Sequence, residues 1–277
     1  MSSLNEHLAK ANQVPPPGIC IDRLPAHLSG SRSRSTEIGP GADPDVWRSM
    51  AAQAVLAKLP ESERRALLRW CRVKALKRHD VVWRQGDPSV VVALILEGYV
   101  KLSTRSAEDD ATQFEVAGPG ECIGDIVALL RRAHDANVMA ASPCRLLLID
   151  GRQFRQALVR QPEGLLALLH IVDENLRRTT EHLIDARTLT APARLAKALL
   201  DLVRVPPFRA GGRSEFPFRL SQTELGAMTG VSREVVNKLL GQWRDEGWIT
   251  MSGGSVITIE GPYILRVMEA EQAREIV

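Results

Sequence analysis

The stretch from Leu220 to Ile249, LSQTELGAMTGVSREVVNKLLGQWRDEGWI, leaves the chain its least freedom. Ser221 followed three residues later by Glu224 is a capping box, in which each side chain satisfies a backbone N–H at a helix start, so a helix begins there unaided. Leu225 and Met228 give that helix an apolar side. Gly230 suits a left-handed turn residue, and Ser232 caps a second helix at its amino end. Wound at about 100° per residue, the second helix turns Val236, Leu239, Leu240 and Trp243 to one side and Arg233, Glu234, Asn237 and Lys238 to the other. One side packs, and the other is presented.

The presented side carries the groups that read base edges: Arg and Lys reach guanine acceptors, Asn pairs with adenine, and Glu accepts from cytosine N4. A solvated amphipathic helix carries such residues too, so placement decides. Two capped helices around a glycine turn have the helix-turn-helix layout. Beyond them, Gly247-Trp248-Ile249-Thr250, the turn Ser252-Gly253-Gly254-Ser255 and Val256-Ile257-Thr258-Ile259 predict a two-stranded hairpin, a wing beside the helices.

On these residues the segment resembles the winged helix-turn-helix of the bacterial Crp/Fnr transcription-factor family. That resemblance implies a recognition helix opening with Ser232-Arg233-Glu234 and carrying a basic residue four positions after the Glu, here Lys238. Lys stands where many members have Arg and offers a point charge instead of a bidentate fork. Ser221, Thr223 and Ser232, at the two helix starts, join the DNA-contacting set.

The chain has 277 residues, of which 44% are hydrophobic, enough for two domains with buried cores. Its net charge is only +3, and the part from Thr190 onward is nearly balanced, so bulk charge does not announce nucleic-acid binding. No stretch approaches the roughly 20 apolar residues of a membrane span, and the amino terminus lacks a signal-peptide core, which sets the expectation of a cytoplasmic protein. Cys20, Cys71, Cys122 and Cys144 lie far apart with no C-x-x-C pair. Family members that sense oxygen use closely spaced cysteines for an iron–sulfur cluster; that set is missing, so neither a cluster nor another metal site is expected.

Residues 1–44, with Pro15-Pro16-Pro17-Gly18 and Ser29-Gly30-Ser31-Arg32-Ser33-Arg34-Ser35, bury little and predict a disordered extension. A helix near Val46 runs towards Leu59 and breaks at Pro60, and another spans Glu61 to Leu68. From about Lys77 to Ile149, short apolar runs alternate with turn signals, predicting an antiparallel barrel or jelly roll. Val81-Val82-Trp83 reads as one of its strands, and Ala93–Leu96 and Tyr99–Leu102, around Glu97-Gly98, read as a hairpin.

This section resembles the cyclic-nucleotide-binding-type sensor domain of the same family, with a phosphate cassette from Gly124-Asp125 to Asp135-Ala136. The resemblance implies that Asp125 takes the place of the Glu that holds the ribose 2′-hydroxyl. His134-Asp135 stand where the family has the Arg and Ser/Thr that grip a cyclic phosphate, and Asp135 brings a like charge instead. The expectation is against cyclic AMP in its usual mode, with another nucleotide and no ligand both left open.

Asp150 caps a helix from Arg152 to Arg160, and Pro162 opens a long one. On it Leu165, Leu169, Val172, Leu176, Thr179, Leu183 and Ala186 recur at spacings of four and three, a coiled-coil seam that predicts a parallel homodimer. In the family a Thr pair on this helix meets the base, which implies Thr179 and Thr180. Pro192 starts a further helix with Leu195, Leu199, Leu200 and Val203 on its apolar side. Arg209 and Arg213, in an exposed loop, stand where the family touches RNA polymerase, and Tyr263 to Ala273 reads as a closing helix.

The chain is therefore expected to be α+β: an extension (1–44), a β-barrel sensor domain (45–150), a connector and dimerisation helix (151–189) and a winged helix-turn-helix domain (190–277). The function expected is that of a homodimeric, sequence-specific transcription regulator on a near-palindromic operator, controlled by a small effector in the barrel. The alternative is a nucleotide-binding regulatory module whose last domain docks on protein. An enzyme is not expected: Gly118-x-Gly120-x-x-x-Gly124 has the wrong spacing for a dinucleotide loop, and no nucleophile or metal-ligand arrangement accompanies it.

Overall fold

A computed structural model of the chain describes residues 35–37, 44–105, 111–203, 213–253, 255–260, 264 and 266–267. These form two compact units: the first comprises the residues up to Thr104 and from Ala117 to Asp173, the second the stretch ending at Val116 and the residues from Glu174 onward.

The first unit opens with strand β1 (Ser35–Glu37) and helices α1 (Pro44–Ala52) and α2 (Glu61–Leu68), with a short 3-10 turn, Leu56–Lys58, between the helices. Strands β2 (Cys71–Leu76), β3 (Val81–Trp83), β4 (Val91–Glu97) and β5 (Val100–Arg105) follow. Strand β6 (Ala111–Ala117) comes next in the chain, its residues up to Val116 grouped with the second unit; β7 (Cys122–Ile123), helix α3 (Asp125–Leu130), β8 (Asn137–Ala140) and β9 (Cys144–Asp150) belong to the first. Helix α4 (Gly151–Val159) and the long α5 (Pro162–Thr188) lead out of the unit.

One sheet has the order β1-β2-β9-β4-β7, and a second contains β3, β8 and β5 side by side. The described pairings are antiparallel, with Cys71 opposite Ile149 and Val91 opposite Asp150. Alternate residues of β4 and β9 face two different cores. Ala93, Ile95, Leu146 and Leu148 join Val82, Trp83, Val100 and Val138 between the sheets. Val92, Leu94, Leu147 and Ile149 pack beneath α1, α2, α4 and the start of α5 with Met50, Leu67, Phe154 and Leu168. Strands with both faces covered read as continuous apolar runs, which is why VVALI and LLLI look the way they do.

Three expectations need correction here. The hairpin expected around Glu97-Gly98 does not form: β4 and β5 lie in different sheets, and Gly98 turns the chain from one to the other. Its φ is +81°, and a Cβ there would overlap the Pro143 carbonyl oxygen, so only glycine makes this corner. A strand that the expected span from Lys77 leaves out, β2, also starts at Cys71. Strand β2 escapes notice because Lys74, fully buried, interrupts its apolar pattern. Finally, Ser35–Glu37, inside the expected extension, pair with β2, and helix α1 already starts at Pro44; the remainder of 1–43 lies outside the described residues.

In the second unit, α5 gives way at Leu189 and Thr190 to α6 (Ala191–Val203). Lys197 donates to the Asp185 carboxylate across that bend. Strand β10 (Arg213–Ser221), helices α7 (Gln222–Thr229) and α8 (Arg233–Asp245), and strands β11 (Ile249–Ser252) and β12 (Ser255–Glu260) complete the described elements. Leu195, Leu199, Phe216, Phe218, Leu220, Leu225, Val236, Leu240, Trp243 and Ile259 are all buried in this unit. Arg213 begins β10 instead of sitting in a loop, whereas Arg209 and its neighbours 204–212 lie outside the described residues. So does Tyr263; of the expected closing helix, Ile264, Arg266 and Val267 are described as helical.

Candidate functional site

Helices α7 and α8 are each held at their starts by a serine. The Ser221 hydroxyl accepts from the Glu224 N–H (3.2 Å) while the Glu224 carboxylate accepts from the Ser221 N–H (2.8 Å), the reciprocal pair expected from the sequence. Gly230 ends α7 at φ +62°, and the Ser232 hydroxyl accepts from the Val235 N–H at 3.4 Å to start α8. Caps of this kind contribute about 1 kcal/mol each. The serines are thus spent largely on shaping the two helices, although both remain exposed, as does Thr223.

Helix α8 divides as its periodicity requires. Val236, Leu239, Leu240 and Trp243 are buried, while Arg233, Glu234, Asn237 and Lys238 are all exposed. Its own N–H and then the Ser232 hydroxyl hold the Glu234 carboxyl below its ordinary range, so it faces solvent as an acceptor. Asn237 is not alone on this face: the Gln222 side-chain amide donates to its Oδ1 at 2.8 Å. Gln222 escaped the sequence reading, because it lies on the other helix and no spacing rule joins positions fifteen residues apart.

The wing has three strands in the order β10-β12-β11, one more than expected. Ser221 pairs with Ser255, so the sheet reaches the start of α7, and Trp243 of α8 lies 6.5 Å from the ring of Trp248 next to β11. The missed strand had a signal: Phe216, Phe218 and Leu220 are buried in alternation with exposed Glu215 and Arg219. Pro217 masked it. The proline lies where the β10–β12 register shifts, between Glu215 and Leu220, which is where a strand tolerates one.

Along α5 the expected seam lies open. Leu169, Leu176 and Leu183 are 61%, 64% and 64% exposed, with Val172, Thr179 and Ala186 also exposed. Leu165 differs, being half-buried against the core of the first unit. The Thr179 and Thr180 hydroxyls donate to the Asn175 and Leu176 carbonyls at 2.9 Å, one turn back on their own helix. Between them and the charged side, Arg177 pairs with both Glu174 and Glu181.

In the sensor cassette, Gly124 adopts φ +77° as the residue before α3, and Asp125 begins that helix. The Asp125 carboxylate is 7% exposed and accepts from the Ile126 N–H at 2.8 Å. Burial pushes it up to about 6, against the pull of the Ile126 N–H and its own. His134 is 3% exposed and lies on Trp83, from which a glycine separates the backbone above: a Cβ on Gly124 would meet His134 Cε1 at 3.1 Å and Trp83 Cη2 at 3.2 Å. Burial depresses the imidazole to about 4, opposed by Asp87. Asp135, next in sequence, is exposed. The structure therefore brings Gly124 and His134 together with Trp83, a residue the sequence reading placed only in a strand, and leaves Asp135 facing solvent.

Of the cysteines, Cys71 and Cys144 are buried and Cys122 half-buried, all three unpaired, and burial raises each thiol; Cys20 lies outside the described residues. Among the described residues no three His, Cys, Asp or Glu side chains gather as metal ligands, and no helix is long and apolar enough to cross a membrane.

A sheet-built sensor unit and a winged helix-turn-helix define a DNA-binding regulator. Comparison with known proteins agrees: residues 73–161 match the cyclic nucleotide-binding domain and residues 193–267 the Crp-like helix-turn-helix domain. The CRP-like cAMP-activated global transcriptional regulator of Mycobacterium tuberculosis is 28% identical over 189 residues, covering 68% of this chain and 84% of that one. The cAMP-activated global transcriptional regulator CRP of Escherichia coli is 22% identical, covering 68% of this chain and 89% of its own. Among solved structures, the c-di-GMP responsive global regulator CLP of Xanthomonas campestris shares the fold with a TM-score of 0.58 at 20% identity, over 72% of this chain and 99% of that one. FixK2 of Bradyrhizobium japonicum does so with a TM-score of 0.59 at 18% identity, over 71% and 96%. The chain belongs to the Crp/Fnr family of transcription regulators.

Proposed function

We propose that this regulator works as a homodimer that inserts α8 of each copy into successive major grooves of a near-palindromic operator, with half-sites about 34 Å apart. The observation that carries this reading is the division of α8: four base-reading side chains exposed on one side, and an apolar side buried in its own unit on the other. Arg233 reads guanine, Asn237 adenine, Glu234 a cytosine amine, and Lys238 a guanine or a phosphate. Ser221, Thr223 and Ser232 contact the DNA backbone from the helix starts. The dimer forms along α5, whose open leucines need a cover of their own kind. Acting on DNA places the protein in the cytoplasm, and RNA polymerase is the partner at its promoters.

Control by the sensor is a population shift between arrangements of the two readers. Relatives are named for responding to cAMP and to c-di-GMP. In this chain the cassette position that should carry a phosphate-gripping Arg holds His134, neutral and stacked, and its neighbour Asp135 repels phosphate. We infer an effector other than cyclic AMP bound in the usual way.

The test pairs selection of duplexes from a randomised pool with calorimetry against cyclic AMP, cyclic GMP and cyclic di-GMP. Recovery of a near-palindrome supports the reading, whereas retention of duplex without sequence preference under every condition overturns it. Micromolar cyclic AMP binding that is lost on replacing Asp125 would overturn the effector inference alone.

A further inference from the structure

The contact between Gln222 and Asn237 joins the two helices of the reader at their exposed ends. Gln222 is the first residue of α7, Asn237 lies one turn beyond Arg233 on α8, and Gln222 Nε2 donates to Asn237 Oδ1 at 2.8 Å. Gln222 is half-buried and Asn237 exposed, so the bond ties a solvent-facing carboxamide to one that is partly enclosed. Resting on the DNA-reading role proposed above, we infer that Gln222 is a specificity-determining residue: by donating to Asn237 Oδ1 it leaves the Asn237 amide nitrogen for the base edge, and thereby favours adenine.

The chemistry follows from the two ends of the amide. An unrestrained Asn offers either its oxygen or its nitrogen to a base edge, because rotation about its last bond exchanges them. Oxygen outward takes the cytosine amine, and nitrogen outward takes the N7 of a purine. With Oδ1 accepting from Gln222, both Nδ2 hydrogens are left for another partner. Oδ1 keeps a second lone pair. Adenine satisfies this arrangement on both counts, donating from N6 to Oδ1 and accepting at N7 from Nδ2. Guanine presents an acceptor at O6 where Oδ1 already stands, and cytosine a donor where the amide now donates. The bond thus converts an adaptable contact into a directional one.

Gln222 is placed to do this by the capping box just before it. Ser221 and Glu224 fix the first turn of α7, so the Gln222 side chain leaves a backbone that does not fray. Gly230 and the Ser232 cap then set where α8 begins relative to α7, bringing Asn237 within reach.

Full-length protein is tested on duplexes recovered from a randomised pool by the wild type, with every base pair of one half-site varied in turn. The wild type is expected to favour adenine at one position by about tenfold or more, and Asn237→Ala to abolish the preference there and nowhere else. Gln222→Ala should reduce the same preference to under about threefold while leaving the other positions unchanged. Gln222→Glu is the sharper variant, since a carboxylate only accepts: it forces Asn237 to turn Nδ2 inward and Oδ1 outward. The favoured base at that position should then change from adenine to cytosine. Full retention of the adenine preference in Gln222→Ala overturns the inference, and so does an equal loss of affinity for all duplexes with a smaller salt slope, which marks a phosphate contact only. If Asn237→Ala leaves every position unchanged, the assignment of the reading side itself is wrong, and that failure is distinguishable from the first.

Discussion

His134 lies face to face on Trp83, with ring centroids 4.1 Å apart and planes 10° from parallel. Both rings are buried, and the pair closes over Gly124, so part of the cassette interior is filled by the protein's own side chains. Truncation of either ring leaves a cavity that the surrounding strands cannot close. Trp83→Ala should cost about 3–5 kcal/mol, seen as a lower urea midpoint of the sensor transition. A loss under about 1 kcal/mol would mean that the stack is incidental.

The same cassette sets an acid response. His134, held at about 4, stays neutral while an unfolded imidazole protonates near 6.5, so its contribution to stability is complete above 6.5 and falls away as the pH drops towards 4. Asp125, raised to about 6 from 3.8, does the reverse: its contribution is present below 3.8 and is lost as the pH rises through 6. Between pH 4 and 6 the two slopes oppose. Asp125→Asn removes one of them, and the variant should lose about 2 kcal/mol more than the wild type on acidification from pH 6.5 to 4. Urea midpoints across that range test this; parallel pH profiles for the two proteins would refute it.

Leu169 and Leu176 are among the most exposed leucines described, two turns apart on one side of α5. Leu169→Arg combined with Leu176→Arg should yield monomers by sedimentation equilibrium, with operator binding weakened at least tenfold because the half-sites are no longer engaged together. A surviving dimer would remove α5 as its seam.

Arg233 stands at the first position of α8, exposed. Arg233→Ala should cost about 1–3 kcal/mol on the preferred duplex and relax base choice at one position. The folded state should be untouched, so an unchanged thermal midpoint is the control. Undiminished binding would place the reading side elsewhere.

The helix pair α7 and α8 was legible from sequence almost residue by residue, because its signals are local: a capping box, a glycine turn, a second cap, and an apolar stripe whose period matches a helix. Strand Val81–Trp83 and the proline-led start of α5 were readable for the same reason. What escaped was set by partners distant in sequence. Strand β10 hid behind Pro217, β2 behind Lys74, and the expected hairpin at Gly98 failed because neighbouring strands in the chain are not neighbours in the sheets. Gln222 beside Asn237, and Trp83 beneath His134, belong to the same class: each contact joins residues that no local pattern links.

That contrast between local and distant contacts also orders how the molecule assembles. In refolding, the capped helices α7 and α8 close a loop of a few residues, whereas β2 must find β9 with Cys71 opposite Ile149, across most of the sensor. Closure over such a distance costs entropy before any contact repays it, so it is slow. The helix pair α7 and α8 is therefore expected to take shape on a chain whose β2–β9 pairing is still unmade, so that the last unit's local contacts precede the first unit's distant ones.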